Sequence, residues 1–164
     1  VDLEKLPDQI SSVLDKKDEL KTLAKSIYEH EHLYVLGRGL SYPVAREIAL
    51  KIKEISYIHA EGMMGGELKH GTIALIEDGT PVIGLLSNGD YDMRSNLKEV
   101  AARGANVITI SNELKGDVMV ETSNDGKFGI LATIVGQLLT YYIAYERKLP
   151  IDKPRNLAKS VTVK

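Results

Sequence analysis

Three groups of residues have the types and spacing that proton transfer or imine chemistry needs. Glu47, Lys51 and Glu54 recur at intervals of four and three, which on a helix places them within about 60° of one another on one face. A lysine between two carboxylates fixes their position, and a carboxylate so held can carry a proton between neighbouring carbons. A solvated, ion-paired helix face has the same pattern, and spacing alone does not separate the two. Glu67-Leu68-Lys69-His70-Gly71 follows a glycine-rich turn, Gly62 to Gly66. Glu-x-x-His binds metal in di-metal bundles, but those need a second copy and further carboxylates; one copy is present, and no metal site is expected. His70 is a candidate general acid or base, since its ordinary pKa suits neutral pH, or else a plain surface histidine. The last segment, Asp152 to Ser160, offers Lys159, an amine able to form a Schiff base if the tail packs into a site. Local physics alone makes such a segment a frayed terminus.

Several function classes are excluded. Gly37-x-Gly39 follows an apolar run, as a dinucleotide loop does, but the third glycine position holds Tyr42 and Pro43 comes next, so the fingerprint fails. No Walker lysine pattern is present. Net charge is −2, with one Phe and no Trp, which removes the electrostatic and stacking signature of nucleic-acid binding. The absence of cysteine excludes disulfides, thiolate zinc and cysteine nucleophiles and fits a cytoplasmic setting. Val1 to Lys5 does not read as a signal peptide, and a first residue of Val suggests a piece of a longer chain. Phe128 to Tyr145 carries no charge and approaches the length of a membrane span. It also holds Gly129, Thr133, Gly136, Gln137, Thr140 and adjacent Tyr141 and Tyr142, so a buried core helix or a subunit interface is expected, with no membrane partner.

The elements that must position these residues are legible. Leu3, Leu6, Ile10, Leu14, Leu20, Leu23 and Ile27 recur near helical spacing, so residues 3–30 form one or two amphipathic helices. Leu33 to Leu36 reads as a buried strand closed by Gly37-Arg38-Gly39. Ser41 as N-cap and Pro43 in the first turn start a helix that runs to about Ser56. Pro81–Leu86, Asn106–Ile110 and Asp117–Glu121 are further strands. Helices span Tyr91 to Arg103, capped by Gly104, and Lys127 to Arg147. Strands alternating with helices imply an α/β fold with a parallel sheet covered on both faces. Ligands in such sheets bind beyond the carboxyl ends of the strands, here Gly37–Ser41, Ser87–Asp90 and Ser111–Asn112.

Three stretches carry a family resemblance. Lys53-Glu54-Ile55-Ser56-Tyr57-Ile58-His59-Ala60-Glu61, Gly66-Glu67-Leu68-Lys69-His70-Gly71 and Pro154-Arg155-Asn156-Leu157-Ala158-Lys159-Ser160-Val161-Thr162-Val163 resemble, in the same order, stretches of the glucosamine-6-phosphate synthases, the isomerizing glutamine–fructose-6-phosphate aminotransferases. The resemblance covers Leu33 to Lys164 and points to the second half of the isomerase part. It implies a SIS (sugar isomerase) domain over residues 1–149, a flavodoxin-like three-layer sandwich with a five-stranded parallel sheet, followed by an active-site tail over residues 150–164. The implied reaction converts fructose 6-phosphate to glucosamine 6-phosphate with ammonia from glutamine. By position, Lys159 resembles the Schiff-base lysine and Glu54 the base that moves a proton between C1 and C2. His70 resembles the ring-opening histidine acting on a neighbouring subunit's sugar. Lys51 and Glu47 resemble the supports of Glu54, and Ala158 lies beside the substrate. No cofactor is implied. The implied partners are a sugar phosphate, a first SIS domain, a glutaminase domain and a second subunit in a homodimer.

Departures are Thr72, where the family often has Pro, and Met63-Met64-Gly65. The loop Ser87-Asn88-Gly89-Asp90 has an acid and too few hydroxyls for the phosphate grip that the family places in its first SIS domain. The chain by itself is therefore expected to be inactive. Rival readings are a phosphosugar deaminase or deglycase with the same fold, which the tail Arg155 to Val161 argues against, and a non-catalytic phosphosugar-binding module.

Overall fold

The apolar run after residue 31 becomes β1 (His32–Gly37), the second strand of a five-stranded, wholly parallel sheet. The computed structural model describes residues 3–113 and 116–158. Before β1 come α1 (Leu6–Leu14) and α2 (Lys17–Lys25); after it, α3 (Ser41–Ser56), β2 (His59–Met64) and two single-turn 3-10 helices, Glu67–His70 and Thr72–Leu75. β3 (Pro81–Leu86), α4 (Tyr91–Ala101), β4 (Asn106–Ser111), β5 (Val118–Met119) and α5 (Asp125–Glu146) follow. The strand order β2-β1-β3-β4-β5 is the flavodoxin-like doubly wound order, with its winding reversed between β1 and β3.

Period-two alternation along the strands builds the two cores. Leu33 and Val35 of β1, with Ile83 and Leu85 of β3, point into a cluster with Ala45, Ile48, Ala49 and Ile52 of α3 and Leu131, Val135 and Leu139 of α5. Tyr34 and Leu36, with Val82 and Leu86, point the other way, onto Met93, Leu97 and Val100 of α4 and onto Leu68. Strands buried on both faces show no polar alternation, so β1 and β3 read as plain apolar runs. The amino-terminal helices belong to the first core through Val13, Leu20 and Ala24. Gln9 Nε2 donates to the Glu121 carbonyl at 2.6 Å and Arg147 to that of Tyr28 at 2.6 Å, pinning this layer.

α5 is long and apolar enough to cross a membrane, but half of its most apolar window is buried inside the domain. α1, α2 and α3 all pack on it, which accounts for the absence of charge from Phe128 to Tyr145. Gly136 lies where α3 crosses α5, and a Cβ there would sit 2.4 Å from Ile48 Cγ1. Ile48 is itself buried and has little room to move. Gly136→Val is therefore expected to lower stability by about 1–3 kcal/mol. A fall in the urea midpoint at unchanged slope is the check; an unchanged midpoint would show the crossing to be loosely packed.

The structure corrects four local expectations. Ser41 is not the N-cap of α3; Leu40 is, without a side-chain cap. The Ser41 amide already donates to the Arg38 carbonyl at 2.9 Å, so the turn starts earlier. The residues around Gly62 are not a turn but the edge strand β2. Gly62 serves close approach: a Cβ would lie 2.5 Å from Arg46 Cα of α3. The fourth expected strand shrinks to Val118–Met119. α5 begins two residues early, because Asn124 caps it by accepting from the Lys127 amide at 3.0 Å. Gly104 does stand past the end of α4, at φ 95°.

Candidate functional site

α3 turns Ala45, Ile48, Ala49 and Ile52 into the core, and 100° steps leave Glu47, Lys51 and Glu54 along one flank. Lys51 Nζ lies 2.7 Å from Glu54 Oε2 and 3.6 Å from Glu47 Oε1. The Lys51, Glu54 and Glu47 side chains are 32%, 29% and 42% exposed, so the trio is half-shielded. The hydrogen bond to Glu54 raises the Lys51 pKa above its ordinary 10.5; burial opposes this, and the charges of Glu54 and Glu47 reinforce it. Because the folded value is the higher, the stability from these contacts is complete below the ordinary lysine pKa and is lost as pH rises through the raised one. At neutral pH Lys51 is a cation. Such helix pairs add only about 0.3–0.5 kcal/mol each; their consequence is to hold the Glu54 carboxylate in one place.

Glu54 is in the last turn of α3. A right-handed crossover makes α3 antiparallel to β1 and β2, and His59 pairs with His32 at the start of both strands. The Glu54 carboxylate therefore belongs to the amino edge of the sheet, at the far end of a helix about 24 Å long from the carboxyl edge, where ligands of such folds usually bind.

The carboxyl ends do converge, on a crevice of about 260 Å³ lined by Arg38 to Ser41, Ser87 to Asp90 and Asp125. Its arginine is already paired. Arg38 lies 2.7 Å from Asp92 Oδ2 and 3.5 Å from Asp90 Oδ1. Asp90 also caps α4, accepting from the Met93 amide at 2.9 Å. Glu113 accepts from the Gly89 amide at 3.1 Å and pairs with Arg94, tying this loop to the one after β4. Acids around a committed arginine are a poor receptor for a phosphate. Glu47 faces a separate groove of about 400 Å³ between α3 and β2, shared with Arg46, Lys53 and Glu61.

His70 is not brought to Glu54. It is exposed, at the end of the 3-10 helix Glu67–His70. Leu68 anchors that turn in the α4-side core, and Lys69 reaches Glu99 of α4 at 2.7 Å. The sheet stands between the two residues. Among the described residues, no group of three His, Asp or Glu side chains converges as a metal site would require. Ala158 is exposed, and Lys159 lies outside the described residues.

Two residues escaped sequence reasoning. Tyr57, directly after α3, sits in the left-handed region at φ 60° and ψ 16°, which costs a non-glycine residue about 1–2 kcal/mol. Its hydroxyl accepts a hydrogen bond from the Arg155 amide at 2.9 Å. The Arg155 guanidinium lies over its ring, 4.1 Å from the centroid. The available signal was an aromatic residue where a helix end favours glycine.

The family model described as the SIS domain matches residues 26–145. A glutamine–fructose-6-phosphate aminotransferase (isomerizing) of Clostridium acetobutylicum is 48% identical over 172 residues, 99% of this chain and 28% of that protein. That of Oceanobacillus iheyensis is 51% identical over 158 residues, 91% of this chain and 26% of that protein. Among solved structures, the C-terminal domain of glucosamine-fructose-6-phosphate aminotransferase from Francisella tularensis matches with TM-score 0.84 and 33% identity, over 92% of this chain and 45% of that one. A glucosamine-6-phosphate deaminase from Thermotoga maritima matches with TM-score 0.72 and 32% identity, over 92% and 48%. The chain thus spans little more than a quarter of the curated relatives it matches.

Proposed function

The chain belongs to the SIS-domain family, and on that premise we propose that it is the second half of the isomerase part of a glutamine–fructose-6-phosphate aminotransferase. Its task is aldose–ketose isomerisation of a phosphosugar, coupled in the whole enzyme to amination of fructose 6-phosphate. Lys159 forms an imine with the open-chain sugar. Glu54 carries the proton between C1 and C2, held by Lys51 and Glu47. His70 opens the sugar ring in the site of a neighbouring subunit. The phosphate is gripped by a first SIS domain, and a glutaminase domain supplies ammonia.

The observation that carries this reading is the docked tail. Arg155 rests on Tyr57, three positions and about 5 Å along the helix from Glu54. From Arg155 to Lys159 the chain extends at most about 14 Å. A tail anchored there supports a reading in which the Lys159 amine and the Glu54 carboxylate act on one sugar. The Thermotoga maritima deaminase offers a rival at similar identity, but the aminotransferase relatives are 48% and 51% identical across nearly the whole chain.

The position of His70 across the sheet from Glu54 gives the test. In a full-length enzyme carrying this chain, His70→Ala and Lys159→Arg subunits are each expected to be inactive on closed-ring substrate. Mixing them in equal amounts under subunit exchange makes half the dimers mixed, each with one intact site of two. About a quarter of wild-type activity should return. No recovery, with exchange verified by differently tagged subunits, would show that each site is built from one chain.

A further inference from the structure

We propose that Tyr57 and Arg155 form a clamp that positions the carboxy-terminal tail at the Glu54 end of α3, as positioning residues rather than catalytic ones. This rests on the reading of Lys159 as the imine-forming residue, and it adds two residues to which that reading gives no role.

Three observations converge on the pair. The contact is double: the Tyr57 hydroxyl accepts from the Arg155 amide at 2.9 Å, and the Arg155 guanidinium stacks over the same ring at 4.1 Å. One part uses the backbone N–H and survives any residue at 155 but proline; the other needs a cation. Next, Tyr57 is held at φ 60°, where glycine would relieve the backbone. A bulky residue in that region is an outlier, and the ring it carries is the one that meets the tail. Finally, residues 155–158 are exposed, so burial does not hold this stretch in place. Asn156, the residue after the contact, also has a positive φ of 60°, so the chain turns sharply as it leaves the clamp. A lysine that must meet a sugar carbonyl within about 3.5 Å is sensitive to such a tether, because a loose tail spreads its amine over many positions.

Three variants separate the parts. Tyr57→Phe removes the acceptor and keeps the ring, Tyr57→Gly removes the ring and relaxes the backbone, and Arg155→Ala removes the cation and keeps the amide donor. In the chain itself, hydrogen exchange at the Arg155 amide is expected to accelerate about tenfold or more in both Tyr57 variants and less in Arg155→Ala. In a full-length aminotransferase carrying this chain, kcat is expected to fall about 10- to 100-fold in Tyr57→Gly, with KM for fructose 6-phosphate within about threefold. Arg155→Lys should recover most of what Arg155→Ala loses. Unchanged exchange in Tyr57→Gly overturns the clamp. Faster exchange with wild-type kcat leaves a contact without a positioning role, which also overturns the proposal. The underlying imine reading fails separately: if borohydride traps no sugar on the wild-type enzyme, Lys159 is not the nucleophile, whatever the exchange data show at Arg155.

Discussion

Lys159→Arg in a full-length aminotransferase carrying this chain is expected to lower sugar turnover by about four orders of magnitude or more, the scale seen when a covalent nucleophile is removed. Arginine keeps the positive charge and most of the length, so electrostatic attraction for a sugar phosphate survives. It remains protonated at any pH a protein tolerates and has no free electron pair to attack a carbonyl. The imine cannot form. Borohydride reduction in the presence of fructose 6-phosphate should add the mass of the reduced sugar to the wild-type tail peptide and add nothing to the variant. The glutaminase half-reaction, which needs no imine, should persist and serves as the internal control for folding. A trapped adduct on any other lysine would move the nucleophile elsewhere and remove the reason for docking the tail beside Glu54.

The second large effect is on proton transfer. Glu54→Gln keeps the shape of the side chain and an oxygen that can accept from Lys51 Nζ, now 2.7 Å from Glu54 Oε2, but deletes the base. Exchange of the C1 or C2 hydrogen with solvent deuterium is expected to fall about 10²- to 10⁴-fold, with KM little changed and the imine still trapped by borohydride. The same variant has a signature in Lys51. Its raised pKa has the hydrogen bond to Glu54 as the leading cause, reinforced by the charges of Glu54 and Glu47 against burial, so replacing the carboxylate by a neutral acceptor should lower the value. Deuterium exchange within about tenfold of wild type would assign the base to another group and leave the trio as a solvated helix face. Together with Lys159→Arg, the experiment separates imine formation from proton transfer, since Glu54→Gln should still form the imine that Lys159→Arg blocks.

The sequence by itself determined the architecture to a large extent. Apolar runs at residues 33–36 and 81–86 are those of strands buried on both faces, as in a parallel sheet, and the helical stripes between the strands cover it. The Lys51 trio was equally legible, because residues three and four apart on a helix must meet. β2 was missed because Gly62 looks like a turn until α3 is seen pressing on it, a contact between elements that no local pattern encodes. Spacing likewise cannot tell which edge of the sheet a helix end reaches. Only the tertiary structure put Glu54 at the amino edge, placed the sheet between it and His70, and showed that Arg38 is committed to Asp90 and Asp92. The meeting of Tyr57 and Arg155 belongs to the same class. Their 98-residue separation is closed by the packing of α5 on α3, which brings the tail back beside the helix that carries Glu54. Periodicity reports what neighbours along the chain must share; what distant segments share depends on how whole elements pack.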